Sequence, residues 1–219
     1  MTHSLPDGLR QQVENDLYPV RPVWSPLGRT LLVAAVAVGV AIFALTTIRL
    51  RLDLGQMPMW LSWGAAVVEL LLGIVLVGAS LREAVPGRAL PRRCVRLLAV
   101  AAVVYQMAVG MVTWLHSHGV PVDGDGLALG MGCLKHDSTL ALPAFLLTLW
   151  LIFRALPLRA PVAGLLGGGG AAIAADAISH MLCPYSDLRH VLVWHTGTIV
   201  LFMLAGWLVG ALWERLRWR

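Results

Sequence analysis

Six long apolar runs, separated by short polar punctuation, dominate the chain: Leu31–Ile48, Met59–Ser80, Leu97–Leu115, Leu140–Phe153, Ala160–Ile178 and Val191–Leu212. A helix that crosses a bilayer needs roughly 20 mostly apolar residues. The fourth run is short, so its helix is expected to extend into its flanks. The pattern predicts an all-α, polytopic membrane protein with six transmembrane helices. Residues 1–29 are too polar and proline-punctuated to cross a bilayer. They lack the charged–apolar–small order of a cleaved signal peptide, so the first span is expected to remain in the protein. Within them, Asp7–Leu17 reads as a short helix with Leu9, Val13 and Leu17 on one face. Pro19, Pro22 and Pro26 then favour extended backbone. Such a segment, displaying Leu9, Val13, Leu17, Pro19, Val20, Arg21 and Pro22, suits docking on another protein; it would serve equally as a plain tether. The expected organisation is an N-terminal segment over 1–29, a six-helix membrane domain over 30–214 and a tail over 215–219.

Composition agrees: 58% of residues are hydrophobic and 13% charged, against about a quarter charged in a soluble domain. The net charge of +5 is therefore read by position, not as a nucleic-acid patch. With the N-terminus inside, thirteen basic residues fall on the inner side, and only Arg49, Arg51, Lys135 and Arg189 fall on the outer side. Excess basic residues mark the cytoplasmic face, so both termini are expected in the cytoplasm. Trp213 and Trp218 among Arg215, Arg217 and Arg219 read as an inner interfacial anchor.

This topology sorts the chemistry. His116, His118, Cys133, His136, His180, Cys183, His190 and His195 all fall on the outer side or its membrane edge, where disulfides persist. Cys94 and His3 lie inside. The outer loop is expected over Ser117–Lys135, rich in Gly and Asp. Cys133-Leu-Lys-His136 and His180-Met-Leu-Cys183 are mirrored half-sites, and Asp176, His180 and Cys183 share one helical face. Three readings stay open. Cys133, His136, His180 and Cys183 can form a tetrahedral site for zinc or another soft divalent metal, with Asp176 orienting His180 from behind. Cys133 and Cys183 can form a disulfide, or remain a free thiol pair that oxidises under stress. Against all three stands a bland alternative, in which these side chains are unrelated and merely hydrogen-bonded near the interface. His116, His118, His190 and His195 read first as interfacial anchors, and otherwise as extra ligands or proton carriers.

Glu69 sits near the middle of the second span, where a carboxylate is costly. It marks either a functional site or a polar pin between helices. Gly164-x-x-x-Gly168 and Gly206-x-x-x-Gly210 allow close helix approach. Gly167–Gly170 has no preceding strand and no following Lys-Ser/Thr, so it is not a phosphate loop. No nucleophile–base pairing, nucleotide motif or soluble catalytic domain is present, and an enzyme is not expected. The absence of C-x-x-C argues against a thiol–quinone oxidoreductase. A small metal or solute transporter remains the alternative, with Glu69, Asp176 and the outer histidines as its path.

The chain resembles the NrsF family of six-span bacterial membrane anti-sigma factors. The resemblance rests on Asp16-Leu-Tyr-Pro19-Val20-Arg21-Pro22-Val23, on Cys133 ahead of Leu140-Ala-Leu-Pro143, and on His180-Met-Leu-Cys183-Pro184 followed by Val193-Trp194. Gly210-Ala-Leu-Trp213-Glu-Arg-Leu-Arg-Trp218 completes it. It implies an inner-membrane, multi-pass protein whose N-terminal segment holds an extracytoplasmic-function (ECF) sigma factor away from RNA polymerase, with no direct nucleic-acid contact. It also implies that Cys133 and Cys183 report a stress: an oxidant, a heavy metal or light-derived singlet oxygen. Tyr185-Ser186, where acidic residues are expected, together with His195 and His136, departs from the family pattern.

Overall fold

The computed structural model describes residues 6–16, 24–116 and 126–217. Among these residues there is no strand. Helix α1 spans Asp7–Asp16, close to the short helix expected there, and α2 spans Pro26–Thr47. Helix α3 spans Ala65–Glu83 behind a π turn at Trp60–Gly64, α4 spans Arg92–His116, and α5 spans Gly126–Arg154. Helix α6 spans Ala160–Leu182. A one-turn α7 (Leu188–His190) and a π turn (Val191–His195) lead into α8, Thr196–Arg217. Six of these helical segments are long and apolar enough to cross a membrane.

The fourth span is where the expected elements change most. It begins at Gly126, not near Leu140, so most of the expected outer loop is helix. Trp194 explains part of this. Its indole lies over Gly130, where a Cβ would collide with the ring, and this contact covers the extra turns of α5. Helix α8 continues through Arg217, into the residues expected as the tail.

Helix α6 is the centre. Its span is 89% buried, against 17% for α4. Its Gly- and Ala-rich sequence presents small side chains along most of its middle, so neighbours close in from several sides. Lipid supplies no hydrophobic force between helices, and packing depends on close approach. Gly164 of α6 and Gly206 of α8 face each other so closely that a Cβ on either would strike the other's carbonyl. On the opposite flank, a Cβ on Gly73 of α3 would sit 2.6 Å from the Gly170 carbonyl.

At the end of the bundle where α2 begins, Arg29 is 1% exposed. Its Nη1 donates to the Leu151 carbonyl at 3.2 Å and its Nη2 to the Leu81 carbonyl at 3.0 Å. These carbonyls belong to the last turns of α5 and α3, which lack partners within their own helices. A cation there also meets the negative helix ends. Nearby, Glu83 pairs with Arg159 at 2.7 Å and accepts from the Leu90 amide at 2.7 Å. Phe153 stacks on Trp213 at 5.3 Å, with Arg217 5.0 Å above that indole.

Candidate functional site

The site forms where α5, the C-terminal end of α6 and the start of the last span meet. Cys133 lies two turns inside α5, and Cys183 is the residue just after α6. Their sulfurs are 3.8 Å apart and both thiols are free. A disulfide requires about 2.05 Å. A metal 2.3 Å from each of two sulfurs in a tetrahedron holds them about 3.8 Å apart. The hydrogen bond shared with Cys133, together with burial, pushes the Cys183 thiol up from its ordinary value.

Two histidines complete the cluster. One donor atom from each of Cys133, Cys183, His190 and His195 lies within 4.8 Å of all the others. The Nε2 of His190 is 3.7 Å from the Cys183 sulfur, close to the spacing of about 3.6 Å that a nitrogen and a sulfur share on one tetrahedral zinc. Asp187 starts the short turn that carries His190, accepting from the Arg189 amide at 3.0 Å and the His190 amide at 3.2 Å. The π turn then matters directly. On a regular helix, residues five apart diverge by about 140°. A π turn closes i→i+5 bonds and stacks such residues. It brings the His190 and His195 rings to 5.6 Å.

His195 is held from behind. Its Nδ1 lies 2.7 Å from Asp176 Oδ1 and 3.1 Å from Asp137 Oδ2. With a proton on Nδ1 donated to these carboxylates, the Nε2 lone pair is left for the thiol side. This is the carboxylate–histidine arrangement that tunes metal ligands. Asp137 is itself fixed by the Ser179 hydroxyl. The Gln106 amide binds the other oxygen of Asp176, and Glu69 lies within hydrogen-bonding reach of both Gln106 and Asp176.

A second arrangement holds the Cys183 loop. Arg51, between α2 and α3, pairs with Asp53 through two bonds, at 2.6 and 2.7 Å. Its remaining donors reach the Ser186 hydroxyl and, at 3.4 Å, the His180 carbonyl. The Arg51 amide donates to the Met181 carbonyl at 3.1 Å. Side chain and backbone together pin both flanks of Cys183.

Residues 14–218 match the NrsF family model, described as negative regulator of sigma F. The chain belongs to the NrsF family. Comparison with the curated proteins and with the solved structures gave no match. Membership makes this NrsF-family chain a negative regulator whose partner is a sigma factor, and places it with regulators, not enzymes.

Within this NrsF protein the two cysteines expected to meet do so, but the two histidines expected beside them are replaced. His136 is half-buried on α5 and outside the cluster; Asp137, four residues after Cys133, takes the inward face instead. His180 turns away from the sulfurs, with its Nε2 3.0 Å from the Leu61 carbonyl. That carbonyl is available because the Trp60–Gly64 π turn takes it out of the regular ladder: the Ala65 amide bonds Ser62 and Trp60 instead. Asp176 accordingly orients His195 rather than His180. Glu69 is 1% exposed and belongs to the same polar core. Of the expected docking residues, Leu9 is exposed on α1. The Val13 side chain and Leu17, Pro19, Val20, Arg21 and Pro22 lie outside the described residues, as does His118. Sequence reasoning passed over Asp137, Gln106 and the Arg51–Asp53 pair. One readable signal was the stripe Ala102, Gln106, Gly110 and Thr113, which marks the buried face of α4.

Proposed function

We propose that this protein is a membrane-bound anti-sigma factor, with both termini in the cytoplasm, that sequesters an ECF sigma factor through residues 1–29. Release follows a change in the bonding of Cys133 and Cys183 at the outer rim of the helical bundle. The reading is carried by one observation: two free thiols from different helices stand 3.8 Å apart beside two histidines. That donor set suits zinc or a heavier soft divalent ion, and the sulfur spacing fits a shared metal better than a formed disulfide. The ligands Cys133, Cys183, His190 and His195 would be drawn together by the bound ion.

The energetics suffice. Changing a sequestered partner from mostly bound to mostly free needs about 5.5 kcal/mol of differential affinity. Structural zinc sites bind with apparent energies of about 10–16 kcal/mol. Cys133 is on α5, while Cys183 is tethered to α6, so tightening their spacing moves the outer end of α5 against the central helix. Helix α5 ends at its inner side in the carbonyls capped by Arg29 of α2, the helix that follows the N-terminal segment. This is a physical route from outer rim to inner tail. Proteolysis of the protein is a second way for the same trigger to end sequestration.

The test is induction of the sigma factor's target promoter by cadmium or an oxidant. Cys133→Ser and Cys183→Ser are expected to change induction while membrane insertion persists. Normal induction in both variants refutes the sensing role. Deletion of residues 1–25 is expected to release the sigma factor constitutively, and continued repression refutes the N-terminal binding element.

A further inference from the structure

Below the thiol rim lies a small polar chamber that the sensing reading does not use. We propose that it binds a dehydrated monovalent cation of about the size of sodium, through oxygens of Glu69 on α3, Gln106 on α4 and Asp176 on α6. The proposal stands on the chamber alone and needs neither the sigma factor nor a metal on the cysteines.

Three buried oxygens without hydrogen-bond partners line this one cavity: Glu69 Oε2, Gln106 Oε1 and Thr113 Oγ1. Their residues are 1%, 7% and 4% exposed. Leaving buried polar atoms unpaired is costly, so such groups call for a partner. The partner here must satisfy acceptors. The Gln106 amide nitrogen is committed to Asp176, which leaves Gln106 Oε1 with acceptor capacity only. An ionised Glu69 likewise only accepts.

Charge points the same way. Three buried carboxylates, Glu69, Asp137 and Asp176, gather around one imidazole, His195. With all three ionised, the group would carry two negative charges even with His195 protonated. The other nearby groups do not offset them. Arg51 borders the chamber but is neutralised by Asp53 in a bidentate pair. His180 faces the Leu61 carbonyl, and the Tyr105 hydroxyl donates to the Ala65 carbonyl. Uncompensated charge at this depth is expensive.

Size and ligand type narrow the occupant. The cavity measures about 30 Å³, room for one particle of about water's size. Magnesium keeps several of its waters, and calcium takes about 6–8 oxygens, so neither fits three side chains in that space. Oxygen-only ligands also exclude the soft ions that suit the thiols.

The consequence is mechanical. Helix α4 is the least buried span, and Gln106 lies on its only inward stripe. A cation shared by Glu69, Gln106 and Asp176 would clamp α4 onto α3 and α6. Asp176 holds His195 with its other oxygen, so occupancy of the chamber and ligation at the rim are linked, each changing the other's affinity by the same factor.

The experiment uses the purified full chain in detergent, at constant ionic strength and pH, with sodium chloride exchanged for potassium or choline chloride. Thermal unfolding and sodium-22 retention are both read. A saturable rise in melting temperature with sodium, retention of one ion per chain, and about a tenfold or greater loss of retention in Glu69→Gln and in Gln106→Leu are expected. If Glu69→Gln fails to fold, wild-type sodium-22 retention with cold-sodium competition decides alone. The proposal is overturned if melting ignores cation identity, or if sodium dependence survives in folded Glu69→Gln. It is overturned as well if acidification alone reproduces the stabilisation without sodium uptake, because a proton on Glu69 then fills the role.

Discussion

Arg51 offers the sharpest quantitative test of how the cysteine-bearing rim is built. Its side chain is 2% exposed and that of Asp53 9% exposed, so their bidentate contact is a buried ion pair. Replacing Arg51 with Met leaves the Asp53 carboxylate buried without its guanidinium. Removing one member of a buried pair costs about 3–5 kcal/mol, whereas replacing both by apolar groups of similar volume is often near neutral. The loss of the Ser186 and His180 contacts adds about 1 kcal/mol each at most. Arg51→Met is therefore expected to destabilise by roughly 4–6 kcal/mol, and Arg51→Met with Asp53→Leu by roughly 1–2 kcal/mol. The assay is reversible denaturation of the purified protein, monitored by tryptophan fluorescence, with the four proteins of the cycle side by side. The same proteins are treated with a mild oxidant, and the yield of a Cys133–Cys183 cross-link is measured in a Cys94→Ser background. If Arg51 positions the Cys183 loop, cross-linking falls in the single variant and stays low in the double variant, although stability returns. A single variant as stable as wild type, with an unchanged cross-link, would refute both the energetic and the positioning argument.

Two further outcomes test other parts of the architecture. Cadmium or zinc titration should show one soft-metal site per chain, with His195→Ala or His190→Ala weakening it about tenfold or more; equal loss in His136→Ala or His180→Ala would restore the ligand set expected from sequence spacing. Gly164→Val should separate α6 from α8, because its added carbons would meet the Gly206 backbone, and destabilisation of about 1–3 kcal/mol is expected from overpacking; an unchanged denaturation midpoint would mean that this crossing is not tight.

The hydrophobic pattern alone determined the helical class and the number of long apolar segments. Both follow from run length, and run length is written in the sequence. It also selected Cys133 and Cys183, because mirrored half-sites at two helix ends are a local pattern. The other members of the site were decided by tertiary structure. His195 reads as an interfacial histidine until the π turn rotates it beneath His190, and a π turn is an inserted register shift with no periodic signature. His180 reads as a ligand until a second π turn offers it the Leu61 carbonyl. Asp137 falls in the short flank between the expected loop and the fourth apolar run, where no pattern marks it as buried, and its buried position depends on α5 continuing beneath Trp194. Arg51 and Ser186 are 135 residues apart in the chain and meet only because α2 and α6 end on the same rim. Periodicity reports which way a side chain faces on an ideal helix. Which helix stands opposite, and where the ideal geometry gives way, is set by packing around the small-residue centre of α6.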